Sequence, residues 1–189
     1  RMLDEPEHAV SLVPTRPATV YLHWDTATMT TPEDRIAAMG LQLPDPIKLA
    51  PGMKLPFSFI NVRGNRALIS GHPRQSAEGA INGPFATLGA DMTTQEGYDA
   101  ARDIALSALA NLKAEIGELS RVSGWVRVFG MVASTPQFTE QHLVVNGFSD
   151  LVLEAFGPDV GRHARSALGV AALPMGFAIE VEGEGLLDG

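Results

Sequence analysis

Arg165 opens the run "RSALGVAALPMGFAIEVEGEG", which carries no further charge until Glu180, Glu182 and Glu184. A guanidinium entering an apolar strand needs an acidic partner or an anionic ligand, because leaving water unpaired is costly. A structural salt bridge or a solvated strand end is the plainer account of Arg165, and composition alone favours it. On a strand, Phe177, Ile179 and Val181 share one face, and Ala178, Glu180 and Glu182 share the other. Three acids cannot all be core. Glu180 lies nearest the apolar loop and is the candidate for half-burial, whereas Glu182 and Glu184 read as solvated residues where the strand frays.

Other chemistries find little support. The five histidines, His8, His23, His72, His142 and His163, fall at no metal-ligand spacing, and there is no cysteine to supply a thiolate or a disulfide. Neither "GFSDL" nor "ISGH" has the glycine–serine–glycine spacing of a nucleophile elbow. The glycine-rich loop from Gly79 to Gly89 lacks a Walker lysine and the dinucleotide glycine pattern, so it reads as a lid or a plain loop. The formal charge of −8 repels a phosphate backbone, and no basic cluster offsets it; nucleic acid is not an expected partner. No run is long and apolar enough for a membrane span, and signal-peptide features are missing, so a soluble cytoplasmic protein is expected.

Which elements would position Arg165 and Glu180? Residues 1–28 mix prolines with acids around one strand-like run, Thr19 to Trp24, and read as an N-terminal extension or cloning remnant before a domain spanning 29–189. Thr31 can cap a short helix with Pro32 at its first position, Glu33 and Asp34 at its positive end and Gly40 at its stop. Two short strands, Phe57 to Val62 and Arg66 to Ser70, flank "RGN" as a hairpin. The strongest helix starts at Thr94, carries Tyr98, Ala101, Ala105, Ala108, Leu109, Leu112 and Ile116 on one stripe, and stops at Gly117. "GWVRVFGMVAS" alternates as a strand, closed by Pro136. A second helix runs from about Glu140 to Phe156 and ends at Gly157 and Pro158. Two last strands, Ser166 to Ala171 and Phe177 to Gly183, read as a closing hairpin through "LPMG". The order hairpin, helix, strand, helix, hairpin predicts an α+β domain, with two long helices on one face of a mixed sheet and the other face covered by copies of the chain.

These segments resemble a known family. "RSALGVAALPMGFAIEVE" is similar to the C-terminal signature of the RidA (YjgF) reactive-intermediate deaminases, and the likeness extends through "SGH", the long helix, "VRVFGMVASTPQF" and "VVNGFSDLVLEAFG". It runs from about residue 31 to the end. "GYDAARDIALSALANLK" and "GRHARSALGV" resemble the divergent branch described as chorismate mutase-like.

The resemblance implies a chorismate mutase-like homotrimer with active sites in clefts between subunits. It implies that Arg165 binds a substrate carboxylate, that Glu180 positions the hydrolytic water, that Ser70 and Gly71 form the family's "SG" turn, and that Asn146 lines the site. The implied reaction is hydrolysis of a 2-imino acid or its enamine tautomer to a 2-keto acid and ammonia, with no metal or organic cofactor. Phe57 stands where typical members have a tyrosine and Ala167 where they have a cysteine, so one hydroxyl donor is lost; at Ala167 the backbone amide matters more than the side chain. A non-enzymatic trimer binding a small carboxylate is the alternative. The endoribonuclease (L-PSP) role reported for some relatives fits the acidic charge poorly.

Overall fold

The computed structural model describes residues 31–188. The extension at 1–28 and its strand-like run lie outside the described residues.

Helix α1, Pro32–Ala38, begins with a reciprocal cap: the Thr31 hydroxyl accepts from the Asp34 amide at 3.1 Å, and the Asp34 carboxylate accepts from the Thr31 amide at 3.3 Å. This satisfies donors that the first turn leaves without intrahelical partners. Helix α2, Thr94–Ile116, uses the same device one residue before the expected start, with Thr93 as cap and Glu96 as its partner, and ends on Gly117 at φ 92°. Helix α3, Gln141–Gly161, is broken at Gly157, whose φ of 77° lets the chain turn before Pro158 begins a last short helical segment.

Five strands form one sheet, in the order β1-β2-β5-β3-β4. Strands β1, Ile60–Arg63, and β2, Arg66–His72, make the expected hairpin. Strand β3, Val122–Ala133, follows a 3-10 turn at Leu119–Arg121 and is the spine of the sheet. It pairs antiparallel with β5, Ile179–Leu187, on one edge and parallel with β4, Ala164–Val170, on the other.

The expected closing hairpin is therefore corrected. β4 and β5 are separated by the whole width of β3, because helix α3 returns the chain as a parallel β3-α3-β4 crossover. The segment between β4 and β5 then passes around the end of β3, using a turn in which Met175 adopts φ 57°.

Both long helices cover one sheet face. Val128, Val132, Ile179, Val181, Ile69 and Ala67 point into this core beneath Leu109, Leu112, Val144, Phe148 and Leu151. Close approach rests on small residues: a Cβ at Gly147 would sit 2.0 Å from the Tyr98 carbonyl oxygen, and one at Gly130 would sit 2.5 Å from Val145 Cγ2. Trp125 packs edge-on against Phe148 and Phe156, with ring centroids 6.1 and 5.8 Å away. The glycine-rich loop is a pinned connection and no lid. Leu88 is fully buried and bonds through its backbone to Ala133 and Thr135, and Pro84 O accepts from the Ala178 amide at 2.9 Å.

Candidate functional site

Register decides what can meet. Arg165 and Gly183 both oppose Val128, whereas Glu180 and Leu168 both oppose Met131. Val128 and Met131 are an odd number of residues apart on β3, so their side chains leave opposite faces. Arg165 thus lies on the helix-covered face and Glu180 on the uncovered one.

On the uncovered face, Glu180 sits over Gly71. A Cβ at Gly71 would lie 1.9 Å from Glu180 Oε1, so only glycine leaves room for that carboxylate. Gly71 falls in the irregular stretch between Ile69 and His72, where β2 shifts register against β5. Burial raises the Glu180 pKa above the ordinary carboxylate value, and the nearby Glu182 charge raises it further. Ser70 donates its hydroxyl to Ser58 O at 2.8 Å and its amide to Phe59 O at 2.9 Å, which ties the turn to the strand before it. Phe57 lies just outside β1, more than half exposed, edge-on to Phe59.

His72 supports this turn from beneath. Its Nδ1 lies 2.6 Å from Ser70 O, and because a carbonyl only accepts, Nδ1 carries the proton. The ring is fully buried, its Nε2 has no hydrogen-bond partner among the described residues, and burial lowers its pKa to about 4.

On the helix-covered face, β4 carries Arg165 to the flank of α3. Nη1 donates to Asn146 Oδ1 at 2.9 Å and to Ser149 Oγ at 3.0 Å, and Nη2 donates to His142 O at 3.2 Å. All three acceptors are neutral, and no carboxylate within the described residues forms an ion pair with Arg165. The expected structural salt bridge is therefore not what holds it. Burial lowers the arginine's pKa from its ordinary value, and the Asp150 charge works the other way. Among the described residues, Nε–H and one Nη2 N–H have no acceptor. Ala167, half-buried two residues further along β4, faces the same side and opposes Gly130.

The three glutamates separate cleanly. Glu182 is exposed. Glu184 does not sit at a fraying end, since β5 continues to Leu187 and the Glu184 carboxylate accepts from Arg66 Nε at 2.5 Å. That pairing with Arg66 lowers its pKa. An arginine on the neighbouring strand, invisible to a one-strand reading, supplies the partner.

The structure thus brings Glu180 and Gly71 together on one face of the sheet, next to Ser70, and Arg165 and Asn146 together on the other, with Ala167 on the same side as Arg165; Phe57 lies against Phe59. The family model described as "YjgF/chorismate_mutase-like, putative endoribonuclease" matches residues 33–181. The chain belongs to this family.

Of the solved structures similar to this chain, the protein Atu1372 from Agrobacterium tumefaciens, whose function is unknown, is 32% identical, with 84% of this chain and 93% of that one covered at a TM-score of 0.73. A Shewanella oneidensis MR-1 protein bearing the endoribonuclease designation is 34% identical, with 84% and 100% covered at a TM-score of 0.74. Protein TCP17 of Trypanosoma cruzi is 46% identical over 120 residues, which are 63% of this chain and 73% of that one. The mixed sheet with its helices is thus the YjgF/chorismate mutase-like fold.

Sequence reasoning missed Ser149 and the structural roles of His72 and His163. Ser149 carried a usable signal, since it lies three residues after Asn146 and so shares its face of α3. The histidines carried none, because each is oriented by a backbone carbonyl, Ser70 O for His72 and Gly161 O for His163.

Proposed function

We propose that the protein hydrolyses 2-imino acids, and their enamine tautomers, to 2-keto acids and ammonia in clefts between copies of the chain. The observation that carries this reading is the division of the site: a half-buried arginine without a carboxylate partner among the described residues and a half-buried glutamate of raised pKa leave opposite faces of one sheet. Neither half suffices alone. A homotrimer in which one subunit's Arg165 face meets another's Glu180 face completes them.

In that cleft the two spare N–H groups of Arg165 hold the substrate carboxylate and so fix the adjacent imine carbon, a positioning role. Glu180 takes a proton from water as the water oxygen bonds to the imine carbon and gives it to the nitrogen, forming a carbinolamine; it then carries the carbinolamine hydroxyl proton to the nitrogen as the C–N bond breaks, leaving the keto acid and ammonia. A carboxyl of raised pKa suits both steps, because a fraction stays protonated nearer neutrality. Ser70 and Gly71 line the water side, Phe57 offers an apolar wall, and Ala167 contributes its backbone. The exposed Phe57 ring, with no hydroxyl to donate, favours a second reading in which the trimer binds a small carboxylate without turnover.

Mixed oligomers test the divided site. Arg165→Ala and Glu180→Gln subunits, each inactive alone, should recover about a quarter of native activity when refolded together in equal amounts, since one interface in about four then pairs two intact halves. Activity is followed on imino acids generated in situ by an amino-acid oxidase. No recovery overturns the divided site. A fully active native protein with an active Glu180→Gln variant removes Glu180 from the chemistry, and an inactive native protein that still binds pyruvate supports the second reading.

A further inference from the structure

A guanidinium with no carboxylate partner among the described residues must be held still by neutral groups. Arg165 Nη1 uses the Ser149 hydroxyl as one of its two acceptors, and that hydroxyl also lies 2.9 Å from His163 Nε2. His163 Nδ1 lies 2.7 Å from Gly161 O. The directions of these bonds follow from donor and acceptor capacity alone. Gly161 O only accepts, so Nδ1 holds the proton; a neutral imidazole then has a bare Nε2, which accepts from the Ser149 hydroxyl. With its hydrogen so directed, the Ser149 oxygen is left with lone pairs for Arg165.

We infer that His163 is a positioning residue: as the Nδ1–H tautomer it orients the Ser149 hydroxyl, which in turn fixes Arg165 for carboxylate capture, a role that rests on the reading of Arg165 as the carboxylate-binding group. The chain runs from the end of α3 through α3 itself to β4, so it joins the helix to the strand that carries the arginine. Ser149 is 8% exposed, and the half-buried His163 ring lies 6.4 Å from Trp125. Burial lowers the His163 pKa, the Gly161 carbonyl raises it, and the Arg165 charge lowers it again, which keeps the ring neutral and its Nε2 bare. Asp150 is the acidic group that acts on this cluster through Arg165, and its carboxylate is also engaged by the Tyr98 hydroxyl at 2.8 Å.

Two substitutions separate positioning from space-filling. His163→Phe keeps the ring and loses the acceptor, whereas His163→Gln loses the ring and keeps an acceptor near the Nε2 position. Pyruvate binding by calorimetry should weaken by about tenfold in His163→Phe, in line with one lost hydrogen bond between neutral groups, and should recover most of that loss in His163→Gln. Nitrogen-detected NMR should show slow rotation of the Arg165 guanidinium in the native protein and the Gln variant, and fast rotation in His163→Phe and Ser149→Ala. The reverse order, with Phe near native and Gln impaired, overturns the inference, as does a native His163 protonated on Nε2. Should the native protein bind no pyruvate, the carboxylate reading of Arg165 fails, while the guanidinium rotation still decides whether His163 and Ser149 hold it.

Discussion

At the scale of single residues, the site depends on groups that do no chemistry. Gly71 is the clearest, because any side chain there occupies the space of the Glu180 carboxylate. Gly71→Ala should push that carboxylate out of place and lower kcat far more than the melting temperature, for a stability cost of about 1–3 kcal/mol; native kcat in this variant would show that the carboxylate position is irrelevant. His72 gives a pH dependence of folding. Its folded pKa of about 4 lies below the ordinary histidine value of 6.5 because burial resists the charge. The unfolded chain therefore binds the proton first, and stability is lost as pH falls from about 6.5 towards 4, by on the order of 3 kcal/mol. Urea denaturation across that range should show a smaller acid-side loss in His72→Gln than in the native protein.

At the scale of elements, α3 links the fold to the site. One of its faces packs Val144, Phe148 and Leu151 into the core, and its flank presents His142, Asn146 and Ser149 to Arg165. The approach of α3 to α2 is limited by Gly147, whose added Cβ would meet the Tyr98 carbonyl at 2.0 Å. Because the obstacle is backbone, relief requires the helices to part. Gly147→Ala should cost about 1–3 kcal/mol despite the better helix propensity of alanine, and should also weaken carboxylate binding as Asn146 moves off Arg165. Thermal denaturation with pyruvate titration checks both; a more stable protein would mean that the helices accommodate the methyl group.

At the scale of the whole molecule, the sheet has one face under helices and one face without them among the described residues. The second face mixes Glu180, Glu182 and the Arg66–Glu184 pair with Leu68, Phe129, Met131 and the half-exposed Leu168. No helix of the described residues is long and apolar enough to cross a membrane. In the proposed trimer this face lies between subunits, so a charge at Leu168 opposes assembly. Leu168→Glu should shift the mass seen by light scattering from trimer towards monomer and abolish activity with it. A trimer of unchanged mass would move the interface elsewhere.

The sequence alone determined the local elements and the family. Capping residues, glycine stops and apolar stripes depend on neighbours a few positions away, which is why α1, α2, the β1-β2 hairpin and the start of α3 were legible, as were Arg165 and Glu180 as the residues to watch. Only the tertiary structure decided that β3 separates β4 from β5, since either edge of a strand offers the same hydrogen bonds and the α3 crossover selects between them. It likewise decided that Glu184 pairs with Arg66, that Arg165 rests on neutral oxygens, and that Arg165 and Glu180 face opposite ways. Such facts depend on register between segments remote in sequence, and a one-residue slip would reverse every face.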